Sequence, residues 1–82
     1  MATNVEVKII AEKFDALTSV DISSVLGCDS AYVRATARRM GKDLPKVTRD
    51  FTDIVMRGEQ IEKAFEFVKN GGLSEAVKEA NK

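Results

Sequence analysis

Thr18-Ser-Val-Asp-Ile-Ser-Ser-Val-Leu-Gly-Cys-Asp-Ser-Ala-Tyr-Val-Arg-Ala-Thr-Ala-Arg-Arg-Met40 is the stretch on which the reading of this chain turns. Thr18 and Asp21 stand in capping-box spacing: the hydroxyl can accept from the first turn, and the carboxylate sits at the positive end of a helix. A short helix over 19–26 follows. Gly27 after the apolar pair Val25-Leu26 is placed to take the left-handed conformation that stops it. Asp29 or Ser30 then caps a further helix running to Met40, with Val33, Thr36 or Ala37, and Met40 facing inward. Gly41 and the Leu44-Pro45 pair close the unit.

On the N-terminal side Val5, Ile9, Ala11, Phe14 and Leu17 recur at three- and four-residue spacings, which predicts a helix over 4–17 with those residues on its buried face. Beyond Pro45 the positions Val47, Phe51, Ile54, Gly58, Ile61, Phe65 and Val68 alternate by four and three, a heptad-like seam. Because glycine inside a helix costs about 1 kcal/mol relative to alanine, the seam is expected to break at Gly58 into helices over 48–57 and 59–70. Gly71-Gly72 ends the second, and Ser74 is placed to cap a last helix over 75–80 with Leu73, Ala76, Val77 and Ala80 on its apolar face. The expectation is one all-α domain over 1–82. It is a small bundle of five to six short helices, with a helix-turn-helix at 18–40 and a C-terminal helical region at 46–80.

Composition narrows the function. The 82 residues are 44% hydrophobic and 32% charged, with one cysteine and no histidine. Such a chain folds, but it has no internal disulfide, no Cys/His zinc site and none of the usual acid–base pairs, so no catalytic residue, metal or cofactor and no small-molecule substrate are expected. The N-terminal stretch carries Glu6, Lys8, Glu12, Lys13 and Asp15 and is no signal peptide; no apolar run approaches the ~18 residues of a membrane span. A soluble, cytoplasmic protein follows, and the lone Cys28 reads as a small buried hydrophobe. The acidic residues Glu59, Glu62, Glu66, Glu75 and Glu79 read as solvated helix faces.

The formal net charge of zero conceals a segregation. Residues 1–29 carry −3 and residues 50–82 carry −2, whereas residues 30–49 carry +5, from Arg34, Arg38, Arg39, Lys42, Lys46 and Arg49 against Asp43. A basic stripe is the electrostatic footprint of phosphate contact, while a neutral whole is low for a nucleic-acid binder.

The 18–40 stretch resembles the helix-turn-helix family of DNA-binding proteins. Ser23 occupies the small-residue position of the first helix, Gly27 the turn, and Val33 the β-branched position six residues later, with Ile22, Leu26 and Cys28 in the apolar slots between. Ser23 departs from the more usual alanine and has a hydroxyl to satisfy. The resemblance implies a phage or bacterial transcriptional regulator that binds duplex DNA as a homodimer. The helix after the turn would enter the major groove with Ser30, Ala31, Tyr32, Arg34, Ala35 and Arg38, flanked by Arg39, Lys42 and Lys46 on phosphates. The interface residues expected from the seam are Val47, Phe51, Ile54, Ile61, Phe65, Phe67 and Val68, Phe67 lying off the seam where it can face a partner. The same packing of small helices also serves proteins with other tasks.

A second resemblance covers the whole chain. Its length and the run Met-Ala-Thr-Asn-Val-Glu-Val-Lys-Ile-Ile-Ala-Glu-Lys-Phe-Asp look like the T-even phage lysis-inhibition accessory proteins, which are cytoplasmic antiholins. This likeness implies binding to the cytoplasmic segment of a holin, an activity that requires no basic surplus. In that case the apolar row after Pro45 would receive the partner's helix.

Overall fold

The computed structural model describes residues 3–46 and 50–80. Among them are five helices and no strand: α1 (Asn4–Lys13), α2 (Ser19–Leu26), α3 (Ser30–Arg39), α4 (Phe51–Lys69) and α5 (Gly72–Ala80). The all-α expectation is met. α1 packs on α2, α3 and α5, while α4 lies against α2 and α5.

Local chemistry sets the ends of these elements. Thr3 and Glu6 form a capping box ahead of α1, and Thr18 and Asp21 form another ahead of α2. Gly27 adopts φ 69°, and both its N–H and that of Cys28 donate to the Ser23 carbonyl, so the turn closes where the sequence placed it. Asp29 caps α3 by accepting from the Ala31 N–H at 2.8 Å. The Ser23 hydroxyl is satisfied by donation to the Val20 carbonyl at 2.6 Å.

Three boundaries differ from the sequence reading. α1 ends at Lys13 rather than at residue 17, and its buried face is centred on Val7, Ile10 and Ala11, leaving Val5 and Ile9 only half-buried. Leu17 is still fully buried, but from the connecting turn. The expected break at Gly58 is absent. α4 runs unbroken through it, with Asp50 as its N-cap, accepting from the N–H groups of Thr52 and Asp53. One glycine lowers helix stability by about 1 kcal/mol, too little to outweigh the Asp50 cap, the Arg57–Asp21 ion pair and the packing of the turns after it. Finally, α5 starts at Gly72, so Ser74 lies inside it rather than capping it. Val47 and Arg49 lie outside the described residues.

The core gathers Val7, Ile10, Ala11 and Phe14, then Leu17, Ile22, Val25 and Val33, and finally Ala64 and Leu73. Thr36 and Ala37 are both buried on the inner side of α3. Cys28 is half-buried against this core, and the fit between α4 and α5 is tight: a Cβ on Gly72 would stand 2.5 Å from two Phe67 ring atoms.

Two substitutions check this account. A Cβ at Gly27 meets nothing within 4 Å, so Gly27→Val should lose more than about 1 kcal/mol through backbone strain alone. Gly72→Ala should lose roughly 1–3 kcal/mol by displacing Phe67. Chemical denaturation measures both, and full stability in either variant would contradict the corresponding packing.

Candidate functional site

Two surfaces stand out. The first is basic. Arg34 and Arg38 on α3 lie one turn apart and are exposed. With Lys42, Lys46 and the start of α2 at Thr18 and Ser19 they line an open cleft of about 450 Å³. Ala37, Gly41, Asp43, Leu44 and Pro45 complete its walls, so the segment after α3 folds back beside the N-terminal end of α2. Among the described residues no carboxylate pairs with these four cations.

Of the residues expected to meet DNA, Ala31, Arg34, Ala35, Arg38, Arg39 and Lys46 are exposed, and Ser30 and Lys42 are half-buried. Tyr32 is drawn away from that face. Its hydroxyl donates to Asn4 Oδ1 at 2.9 Å, and the Thr36 hydroxyl reaches the same oxygen at 3.4 Å, so Tyr32 ties α3 to α1. Burial pushes the Cys28 thiol up, helped by the nearby carboxylates of Asp29 and Glu6, which leaves less thiolate than an ordinary cysteine has at the same pH. Among the described residues no group of three or more His, Cys, Asp or Glu side chains is placed to hold a metal ion.

The second surface is apolar and belongs to α4. Phe51 is 79% exposed, and Ile54, Val55 and Phe65 are each nearly half exposed. At 100° per residue these four, with Gly58 among them, occupy one outward stripe. Ile61 borders the stripe from the half-buried side. The opposite side of the same helix supplies the contacts to the body: Ala64 is fully buried, Val68 packs on the core, and Phe67 meets Phe14 edge-on with ring centroids 5.9 Å apart. The Lys13 ammonium covers both rings, at 5.1 Å from the Phe67 centroid and 5.8 Å from that of Phe14. Phe67 and Val68 thus serve the protein's own core instead of facing a partner.

Polar contacts that the sequence reading missed hold α4 in place. Arg57 Nε lies 3.0 Å from Asp21 Oδ2, the oxygen that also accepts from the Thr18 N–H and hydroxyl. Gln60 accepts from the Ala16 N–H at 2.9 Å and donates to Asp15 Oδ1 at 3.2 Å. N-terminal to Arg57, every residue from Phe51 to Met56 is exposed. A hollow of about 390 Å³ lies beneath that part of the helix, between Asp53, Met56 and Arg57 on one side and Asp15, Ala16, Pro45 and Lys46 on the other. The N-terminal third of α4 therefore stands off the body with its apolar stripe turned outward.

The chain matches no protein-family model, no curated protein and no solved structure.

The ion pair that holds α4 makes a direct prediction. The Asp21 side chain is 8% exposed and that of Arg57 29%, so Arg57→Ala leaves a mostly buried carboxylate without its cation. A loss of about 1–3 kcal/mol is expected, between the values for surface and fully buried pairs. Denaturant unfolding checks this, and a loss below about 0.5 kcal/mol would show that Asp21 is sustained by Thr18 alone.

Proposed function

We propose that this is a non-catalytic binding module whose outward α4 stripe receives an amphipathic helix from a partner protein. The carrying observation is that Phe51, Ile54, Val55 and Phe65 stay exposed on one helix face while Arg57, Gln60, Ala64, Phe67 and Val68 anchor the opposite one. Contiguous exposed apolar surface of this kind marks protein or membrane contact sites in soluble folds. No helix among the described residues is long and apolar enough to cross a membrane. The net charge of zero accords with a protein partner better than with a polyanion. The whole-chain likeness to cytoplasmic antiholins names the partner class: the cytoplasmic segment of a phage holin, held back from assembly while it is bound. In this reading the protein acts in the cytoplasm and delays lysis.

A second reading rests on the basic cleft. Arg34 and Arg38 project from α3 with Lys42 and Lys46 beside them, the arrangement by which a helix-turn-helix regulator reads a duplex and grips its phosphates. Tyr32, committed to Asn4, drops out of the base-reading set, and Asp43 subtracts from the cleft's charge.

One pair of titrations separates the readings. Calorimetry with a synthetic peptide of a T-even phage holin's cytoplasmic segment should show binding that Ile54→Asp reduces at least tenfold and that Arg34→Ala leaves within about twofold. Binding to duplex DNA with a steep salt dependence, lost in Arg34→Ala and kept in Ile54→Asp, would overturn the proposal. In that event Arg34→Ala should cost about 1–3 kcal/mol and relax sequence preference, whereas Lys46→Ala should weaken all sequences alike.

A further inference from the structure

Gly58 lies in the middle of the outward stripe, and nothing in the monomer explains it. Its backbone is helical, without the positive φ that calls for glycine, and a Cβ there would meet no atom within 4 Å. A glycine at such a site weakens its helix and gives the isolated chain nothing in return. What it does provide is a place where a second helix can approach closely.

The residues around it are arranged symmetrically. Phe51 and Phe65 stand seven residues to either side of Gly58, and Val55 and Ile61 stand three to either side. We infer that the free protein pairs with a second copy of itself, α4 against α4 and antiparallel, with the two-fold axis passing through Gly58. In such an isologous contact a residue at one distance before the axis meets the residue at the same distance beyond it on the other copy. Phe51 then lies against Phe65 of the second copy and Val55 against Ile61 of the second copy, twice over. The remaining close pair sets Ile54 beside Glu62 of the second copy; at 100° per residue Glu62 falls between Phe51 and Val55, so its carboxylate lies within the contact and weakens the pair.

The antiparallel sense follows from how α4 is supported. Its N-terminal third is exposed up to the Arg57–Asp21 ion pair, whereas the part after Gly58 packs on the core through Ala64, Phe67 and Val68. Antiparallel pairing lays each copy's free end on the other's supported end, and it opposes the helix dipoles. Parallel pairing would leave both free ends together, without support. The size of the contact is also consistent. The exposed fractions of the four side chains leave roughly 400 Å² of apolar surface per copy, about the size of the largest patch on a typical monomer. Two copies thus bury about 800 Å² of apolar surface in all, below a standard interface and in the range of weak, transient contacts, so a dissociation constant no tighter than micromolar is expected.

This pairing deepens the proposed function, and its regulatory consequence rests on that reading: the paired state covers the stripe that receives the partner helix, so partner and second copy compete. The pairing itself does not depend on the partner and is tested without one. Only a residue on the axis meets its own counterpart, so in a Cys28→Ser background Gly58→Cys should form a covalent dimer on mild oxidation. Phe51→Cys and Phe65→Cys should each stay monomeric alone and cross-link when mixed. Sedimentation of the unmodified protein should show a concentration-dependent dimer between about 1 and 100 µM. Self-cross-linking of Phe51→Cys would replace the antiparallel pair with a parallel one and overturn the inference. So would a strict monomer at 100 µM, in which case the stripe is kept for a different protein. The holin peptide then tests the regulatory consequence separately: it should bind the reduced Gly58→Cys protein and fail to bind the oxidised dimer, and equal binding to both would remove the competition while leaving the pair intact.

Discussion

The contact between Arg57 and Asp21 is the joint of this molecule. One carboxylate oxygen takes the backbone and hydroxyl of Thr18, which starts α2, and the guanidinium of Arg57, which places α4. Asp21 can be buried because those donors replace the water it loses. C-terminal to this joint α4 belongs to the core, through Ala64, Phe67 and Val68. N-terminal to it the helix is held by its own hydrogen bonds and the Asp50 cap, and its side chains are open to solvent.

That division gives α4 two jobs on opposite sides of one cylinder. The inner side spends its largest residue, Phe67, on an edge-to-face contact with Phe14 under the cover of Lys13. The outer side keeps Phe51, Ile54, Val55 and Phe65 in water, an arrangement that stability alone does not favour. An 82-residue domain has little apolar surface to spare for a core, and the four side chains left outside on one stripe are the observation on which the proposed occupant rests. The basic cleft beside α3 is a separate feature, built on another element, and the outward stripe does not require it.

Much of the fold was legible because short-range chemistry decides it. The capping box at Thr18 and Asp21, the left-handed stop at Gly27 and the Asp29 cap each depend on residues within a few positions of one another, and α2 and α3 fall where these signals put them. α4 was harder, since Gly58 and the caps pull in opposite directions and the outcome depends on packing that a linear pattern does not contain. The seam was misread for a related reason. A strict heptad selects Ile61, Phe65 and Val68 for one face, but a straight helix drifts about 20° per heptad, so the stripe splits: Val68 turns in, Phe65 stays out, and Val55 joins it. Arg57 and Gln60, the polar anchors, carried no signal in sequence, because their partners lie more than thirty positions away. Tyr32 was equally unreadable, since its fate is set by Asn4 at the far end of the chain's first helix.

The claim that the outward stripe of α4 is the working surface can be tested residue by residue. Backbone amide shifts of isotope-labelled protein, followed while the holin cytoplasmic peptide is added, should move along residues 51–65 and stay still over Arg34 to Lys46. Shifts confined to α3 and the Lys42–Lys46 segment would contradict it and return the function to the basic cleft.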